Sequence, residues 1–342
     1  MAKNNLQEEF EPIKLDEKKK KNLASRILFG ALMCVVAVPA IIFGGWFFFA
    51  LIMFCTLVAV YEFMKVPGKK YNWSIWVITY VLTISYVVWA FAKANLQAYN
   101  NPNIQYAFSL EGYTEEPNLS WYAMVIGLGI YCFAAIISKK FTFHDVVYLF
   151  TMSVLVGIGF QSMLFIRFYP VKDIFATYGA TLFTSWIHSA FLLLFVIIAT
   201  FGTDTMAYFV GIFFGHHKMN SPISPNKSWE GFFGGWILGG LLAFLFALIV
   251  ELSGHPIHPS LMILGENSKW WAVVLISFTL PLVATLGDFT FSLVKRTYGV
   301  KDYGKLLGAH GGILDRVDSL IFCCIATSIL LIVVKEGWGF FA

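Results

Sequence analysis

Apolar runs of about 20 residues recur along the chain, and each is long enough to cross a ~30 Å hydrocarbon core as a helix. They lie near residues 24–43, 46–64, 73–91, 120–138, 146–167, 231–250, 270–293 and 317–334, with a longer one at 185–215. In lipid a segment must satisfy its own backbone hydrogen bonds, so such runs fold as helices. With 58% of its 342 residues hydrophobic and 13% charged, the chain does not describe a water-soluble core. The fold class read from these runs is an all-α polytopic membrane protein with about nine transmembrane helices.

The run at 185–215 is either one long crossing or a tight hairpin. Lys and Arg are retained on the cytoplasmic side of short loops, which arbitrates. With one crossing, 19 of the 24 Lys and Arg residues fall on a single side, whereas a hairpin flips the last basic loops outward. The expected topology therefore has a cytoplasmic N-terminus and an external C-terminus. Residues 189–215 would make a helix of about 40 Å, longer than the hydrocarbon is thick, so tilting or a break at Gly202, Thr203 and Asp204 is expected. The organisation that follows is a disordered cytoplasmic tail at 1–22, scaffold helices over 23–183 and a catalytic transmembrane domain over 184–342.

A formal charge of +4 does not point to nucleic acid, because the lysines sit in the tail and in inter-helix loops, without a continuous basic face. Cys34, Cys55, Cys132, Cys323 and Cys324 fall inside apolar runs and show no metal-ligand spacing. A cleaved signal peptide is not expected, since about two dozen polar residues precede the first run. No internal repeat of the transporter kind is visible.

Three polar segments share the expected cytoplasmic side: FGTDTMAYFVG at 201–211, SPISPNKSWEG at 221–231, and GDFTFSLVKRTYGVKDYGKLLGAHGGILDRVDS at 287–319. Asp288 lies near a helix end, and Asp315 and Asp318 stand three apart where the next helix begins. Such a carboxylate set suits Mg²⁺ beside a polyphosphate, or else the acids only cap helices and pair with Lys295, Arg296 or Arg316. Gly311 and Gly312 before a helix N-terminus could form a phosphate nest or a plain tight turn; His310, Lys295, Arg296 and Lys301 surround them. Ser221, Ser224, Lys227 and Ser228 suit a triphosphate clamp, against an ordinary loop with a helix-capping Ser. His216 and His217 lack further ligand spacing. Asp204 falls within a crossing, where a carboxylate is costly and usually lines a polar cavity.

The block at 292–318 resembles the signature of the phosphatidate cytidylyltransferases, the CDP-diacylglycerol synthases. Ser292, Lys295, Arg296, Lys301, Asp302, Gly304, Leu307, Gly308, His310, Gly311, Gly312, Asp315, Arg316 and Asp318 carry the resemblance, and the two shorter segments extend it over 201–319. Asn226 and Gly308 depart from it, standing where a basic residue and Pro are common. The resemblance implies transfer of CMP from CTP to phosphatidic acid, giving CDP-diacylglycerol and pyrophosphate, at the cytoplasmic face of a bacterial inner membrane. It implies Mg²⁺, with K⁺ as a candidate second cation; the aromatic-rich early helices, GGWFFF at 44–49 among them, are a candidate homodimer contact. The expected roles are Asp288, Asp315 and Asp318 as metal ligands, with Asp204 lining the cavity or holding a second cation. Lys227, Ser224, Ser228, Ser292, Lys295 and Lys301 would bind phosphates together with Arg296 and Arg316, while His310, Gly311 and Gly312 would shape the nest. The rival readings are a CTP-dependent polyprenol or phytol kinase, against which the HisGlyGly block argues, and an ion-coupled transporter using Asp204.

Overall fold

The computed structural model describes residues 17–100, 119–170, 182–219, 223–224, 227–265, 268–308 and 311–336. Nine α-helices account for nearly all of them: α1 (Glu17–Phe43), α2 (Gly45–Lys65), α3 (Trp73–Asn100), α4 (Leu119–Ile137), α5 (Phe143–Phe168), α6 (Leu182–Phe214), α7 (Trp229–Leu252), α8 (Trp270–Thr297) and α9 (Leu314–Glu336). Seven of these are long and apolar enough to cross a membrane, and α1 and α4 contribute the shorter apolar stretches Gly30–Phe43 and Tyr122–Ile137. The protein is thus an all-helical, polytopic membrane protein. The helix α1 starts inside the segment read as a tail, whose residues 1–16 lie outside the described ones, as do residues 101–118.

The run at 185–215 is one continuous helix, α6, of 33 residues. The break expected at Gly202, Thr203 and Asp204 is absent. Two features hold the helix together there. The hydroxyls of Thr200, Thr203 and Thr205 donate to the carbonyls of Val196, Ala199 and Phe201, so the polar side chains are satisfied within the helix. The glycines of α7 then let it lie directly on α6: a Cβ on Gly235 would sit 2.7 Å from the Ala207 Cβ, and one on Gly239 would sit 2.6 Å from the Thr203 Oγ1. Without water to drive association, such close backbone approach is what binds helices in lipid.

Successive helices reverse direction, so the connections collect at two ends. One end joins Lys69 to Asp145, His144 to Tyr298, Lys227 to Asp288 and Glu62 to Ile313. At the other, the fully buried Arg167 reaches from α5 to the carbonyls of Ile41 and Ile42 at the close of α1, at 2.7 and 3.0 Å, and to the hydroxyl of Ser189. The chain turns from α1 into α2 at Gly44, whose φ of 62° suits glycine. A Cβ there would stand 2.6 Å from the Arg167 guanidinium.

The core threads through all but the outermost layers. Tyr86, Tyr131, Phe160 and Phe165 are buried among α3, α4 and α5, while Phe291, Leu314, Cys323 and Cys324 are buried where α8 meets α9. At Gly287 the two helices come close enough that a Cβ would lie 3.1 Å from the Ser319 Cα, one residue from Asp288 on one side and Asp318 on the other. That contact sets the spacing of the two acids.

Candidate active site

The loop between α6 and α7 is pinned as a narrow hairpin by an isolated bridge between Lys218 and Ser228. Its backbone bonds run from Met219 N to Lys227 O and from Trp229 N to His217 O, both at 2.9 Å. Pinning aims Lys227 across at α8, where its ammonium donates to Asp288 Oδ2 and lies 4.3 Å from the centre of the Phe289 ring. One turn on, the Ser292 hydroxyl donates to Asp288 Oδ1 at 3.3 Å. Ser228 is a helix cap, its Oγ accepting from Gly231 N at 3.1 Å, which is the plain alternative to a phosphate contact. Ser224 accepts the Lys227 N–H on its carbonyl at 3.3 Å. His217 is held by Glu230 through both its ring and its backbone N–H.

Three carboxylates bear on the space beside Lys227. Asp288 of α8 and Asp318 of α9 lie in electrostatic reach of each other and of Asp204 on α6. Asp204 is exposed on its helix although it sits in the middle of an apolar crossing, and the charges of Lys227 and Arg316 also bear on it. Asp318 is nearly buried and accepts from Ser319 N at 2.7 Å. All three donors are hard oxygens, the kind that suits Mg²⁺. Among the described residues no group of three His, Cys, Asp or Glu side chains is close enough as it stands to hold a metal ion, and the Lys227 ammonium takes the cationic position at Asp288.

Asp315, expected beside the other two as a metal ligand, has protein partners on both oxygens. Its Oδ1 accepts from the Lys295 ammonium at 2.8 Å, and its Oδ2 accepts from Tyr303 N and Gly312 N at 2.8 and 2.9 Å. Both oxygens are therefore committed to tying the 298–313 loop to α8. Lys295 is committed with it. Tyr303 completes this brace by donating its hydroxyl to Phe291 O at 3.1 Å. Burial first, and then the charges of Asp315 and Asp318, push its phenol above the usual range, so it stays a donor.

Around Gly311 and Gly312 the described backbone N–H groups have partners within the protein. Gly308 and Gly311 adopt φ of 60° and 81°, and Leu307 N donates to Gly311 O at 3.0 Å. A proline could not take the Gly308 conformation. The amides that follow already have acceptors: Gly312 N faces Asp315, while Ile313 N and Leu314 N donate to the Glu62 carboxylate at 3.0 and 2.8 Å. Glu62, on α2, was missed by the sequence reading; its signal was an acid in the otherwise apolar run of α2. His310 lies outside the described residues, as do Ser221 and Asn226.

At the rim, Arg296 is exposed and donates to Ile223 O at 3.4 Å and Val300 O at 3.1 Å, linking the two loops. Lys301 and Arg316 are exposed as well, and the charge of Arg316 bears on Asp204. Cations and carboxylates together at this end suit an anionic, metal-chelating substrate.

The profile of the cytidylyltransferase family matches residues 24–334. The chain is 41% identical over 133 residues to the phosphatidate cytidylyltransferase of Haemophilus influenzae, covering 39% of this chain and 43% of that protein. It is 34% identical over 198 residues to the one of Staphylococcus epidermidis, covering 58% and 64%. With the Bacillus subtilis protein of the same name, identity is 29% over 301 residues, covering 88% and 94%. The chain thus spans less than two thirds of the first two relatives and nearly all of the third. With its profile matched from the first helix to the last, the chain belongs to the cytidylyltransferase family.

Proposed function

We propose that the protein transfers CMP from CTP to phosphatidic acid, releasing pyrophosphate and forming CDP-diacylglycerol. The observation that carries this reading is the Lys227–Asp288 contact with Asp318 and Asp204 in electrostatic reach of Asp288, from one loop and three helices, in a chain of this family. An oxygen of the lipid phosphate attacks the α-phosphorus of CTP, and the bond from that phosphorus to the β-bridging oxygen breaks as pyrophosphate leaves. The nucleophile is already an anion, so alignment and charge neutralisation matter more than a general base. Lys227 is placed to leave Asp288 for a triphosphate oxygen. Arg296, Lys301 and Arg316 steer and hold the polyanion at the rim. Asp288 and Asp318, with Asp204 beside them, would hold Mg²⁺, whose charge offsets that of the triphosphate; K⁺ is the candidate for a second position at Asp204.

We place this end of the bundle in the cytoplasm of a bacterial inner membrane, with nine crossings and an external C-terminus, on the distribution of basic residues. CTP enters from water and the lipid from the facing leaflet, so Asp204 opening to the side of α6 suits lateral entry. Purified protein given CTP, Mg²⁺ and phosphatidic acid in detergent is expected to release pyrophosphate and liponucleotide in equal amounts. Phosphorylation of a prenol, or solute movement without CTP consumption, would replace this reading. A K301C variant should react with an impermeant thiol reagent only from the cytoplasmic side, and external labelling would reverse the topology.

A further inference from the structure

Glu62 lies near the end of α2, among helices that the sequence marks as scaffold, and is 3% exposed. Isolated acids are expensive inside a crossing and persist where they have a partner. Here the partner is the start of α9. The two carboxylate oxygens accept one N–H each, from Ile313 and Leu314. These are amides that a helix leaves unpaired at its N-terminus, and the helix dipole adds to their hold on a negative charge. Two loop glycines make room for the carboxylate: a Cβ on Gly304 would stand 2.4 Å from Glu62 Oε1, and one on Gly312 would stand 2.4 Å from both oxygens.

The consequence runs into the site. Asp315 and Asp318 leave α9 within its first two turns, so their positions depend on where that helix starts. Asp315 is tied to Lys295, and Asp318 lies in reach of Asp288. Resting on the cytidylyltransferase reading of the site, we propose that Glu62 is a positioning residue for the reaction: it fills the amides of Ile313 and Leu314 at the start of α9, sets that helix against α8, and makes these amides an internal clasp instead of a phosphate-binding nest.

The test compares wild type, Glu62→Ala and Glu62→Gln as full-length protein in detergent. In Glu62→Ala, kcat for CDP-diacylglycerol formation is expected to fall on the order of 10²-fold while KM for CTP moves by less than about threefold. Hydrogen exchange at residues 312–315 should quicken in the same variant, and sodium formate, but not sodium chloride of equal ionic strength, should restore turnover by returning a carboxylate to the amides. Glu62→Gln keeps the volume but turns an NH₂ toward one N–H, and should lose roughly tenfold in kcat. Wild-type kcat in Glu62→Gln overturns the proposal, and this variant decides the matter if Glu62→Ala does not fold. A lowered KM for CTP in Glu62→Ala also overturns it, since freed amides would then be binding phosphate. Should wild type itself make no CDP-diacylglycerol while exchange at 312–315 still quickens in Glu62→Ala, the clasp stands and the functional reading is what fails.

Discussion

Lys295 and Asp315 form an ion pair at 2.8 Å with side chains only 10% and 5% exposed, and it joins the last turn of α8 to the first turn of α9. Removing one partner leaves a buried charge uncompensated, which costs about 3–5 kcal/mol. Lys295→Met and Asp315→Asn are each expected to lower the denaturation midpoint in detergent. The double variant should lose clearly less than the sum. Additive losses would show that the pair does not act as a unit.

Asp318 and Asp315 should respond differently to metal. Asp318 faces Asp288 and Asp204, whereas both oxygens of Asp315 are taken by Lys295, Tyr303 and Gly312. Asp318→Asn is expected to raise the Mg²⁺ concentration needed for half-maximal rate by about tenfold or more, with activity partly recovered at high Mg²⁺. Asp315→Asn should lose activity that added Mg²⁺ does not recover. A Mg²⁺ titration of each variant checks this, and recovery in Asp315→Asn would return that residue to the metal shell.

Ser228 caps α7 through its Oγ, and the same oxygen stands 2.8 Å from where a Cβ on Gly215 would be. Ser228→Ala should cost about 1 kcal/mol of stability, the usual value of a lost N-cap, and leave KM for CTP unchanged. Lys227→Ala, by contrast, should raise KM for CTP and lower kcat together. Steady-state kinetics with CTP varied separates the two.

Arg167 holds the end of α1 through the carbonyls of Ile41 and Ile42 and holds α6 through Ser189. Arg167→Met removes these bonds and leaves the carbonyls facing an apolar chain, for a loss of about 2–4 kcal/mol. Its position at the end remote from Asp288 means that the remaining folded protein should keep its KM for CTP. Thermal denaturation and kinetics on the folded fraction give the two readings.

Helix placement was legible because charge, Gly and Trp punctuate the apolar runs. Trp73 and Trp270, taken as starts, are the first residues of α3 and α8, and Val317 and Gly231 lie within three residues of the starts of α9 and α7. The break at Gly202 was not legible as absent, because a glycine and an acid inside a crossing look the same whether or not a neighbouring helix covers them. Only the glycines of α7 decide, and they are a different run. The site was legible as to which segments meet. Lys227 contacts Asp288, and Asp318 lies in electrostatic reach of Asp288, although Lys227 was expected at a triphosphate and not at an acid. The division of labour among them was not. An Asp in the first turn of a helix has the same sequence signature whether it binds a cation or caps amides, and the N–H that Gly312 donates to Asp315 could not be read from it. Glu62 is 252 positions from the amide of Leu314, so no local spacing could join them.

That separation bears on how the protein is made. The second helix enters the bilayer carrying an acid whose acceptor role stays unfilled until the ninth has been synthesised, because both amides belong to its beginning. Premature termination ahead of residue 313 therefore yields a product in which this carboxylate lacks both of its amide partners. Completion of translation, rather than insertion of the early helices, is the step that lets the acid settle.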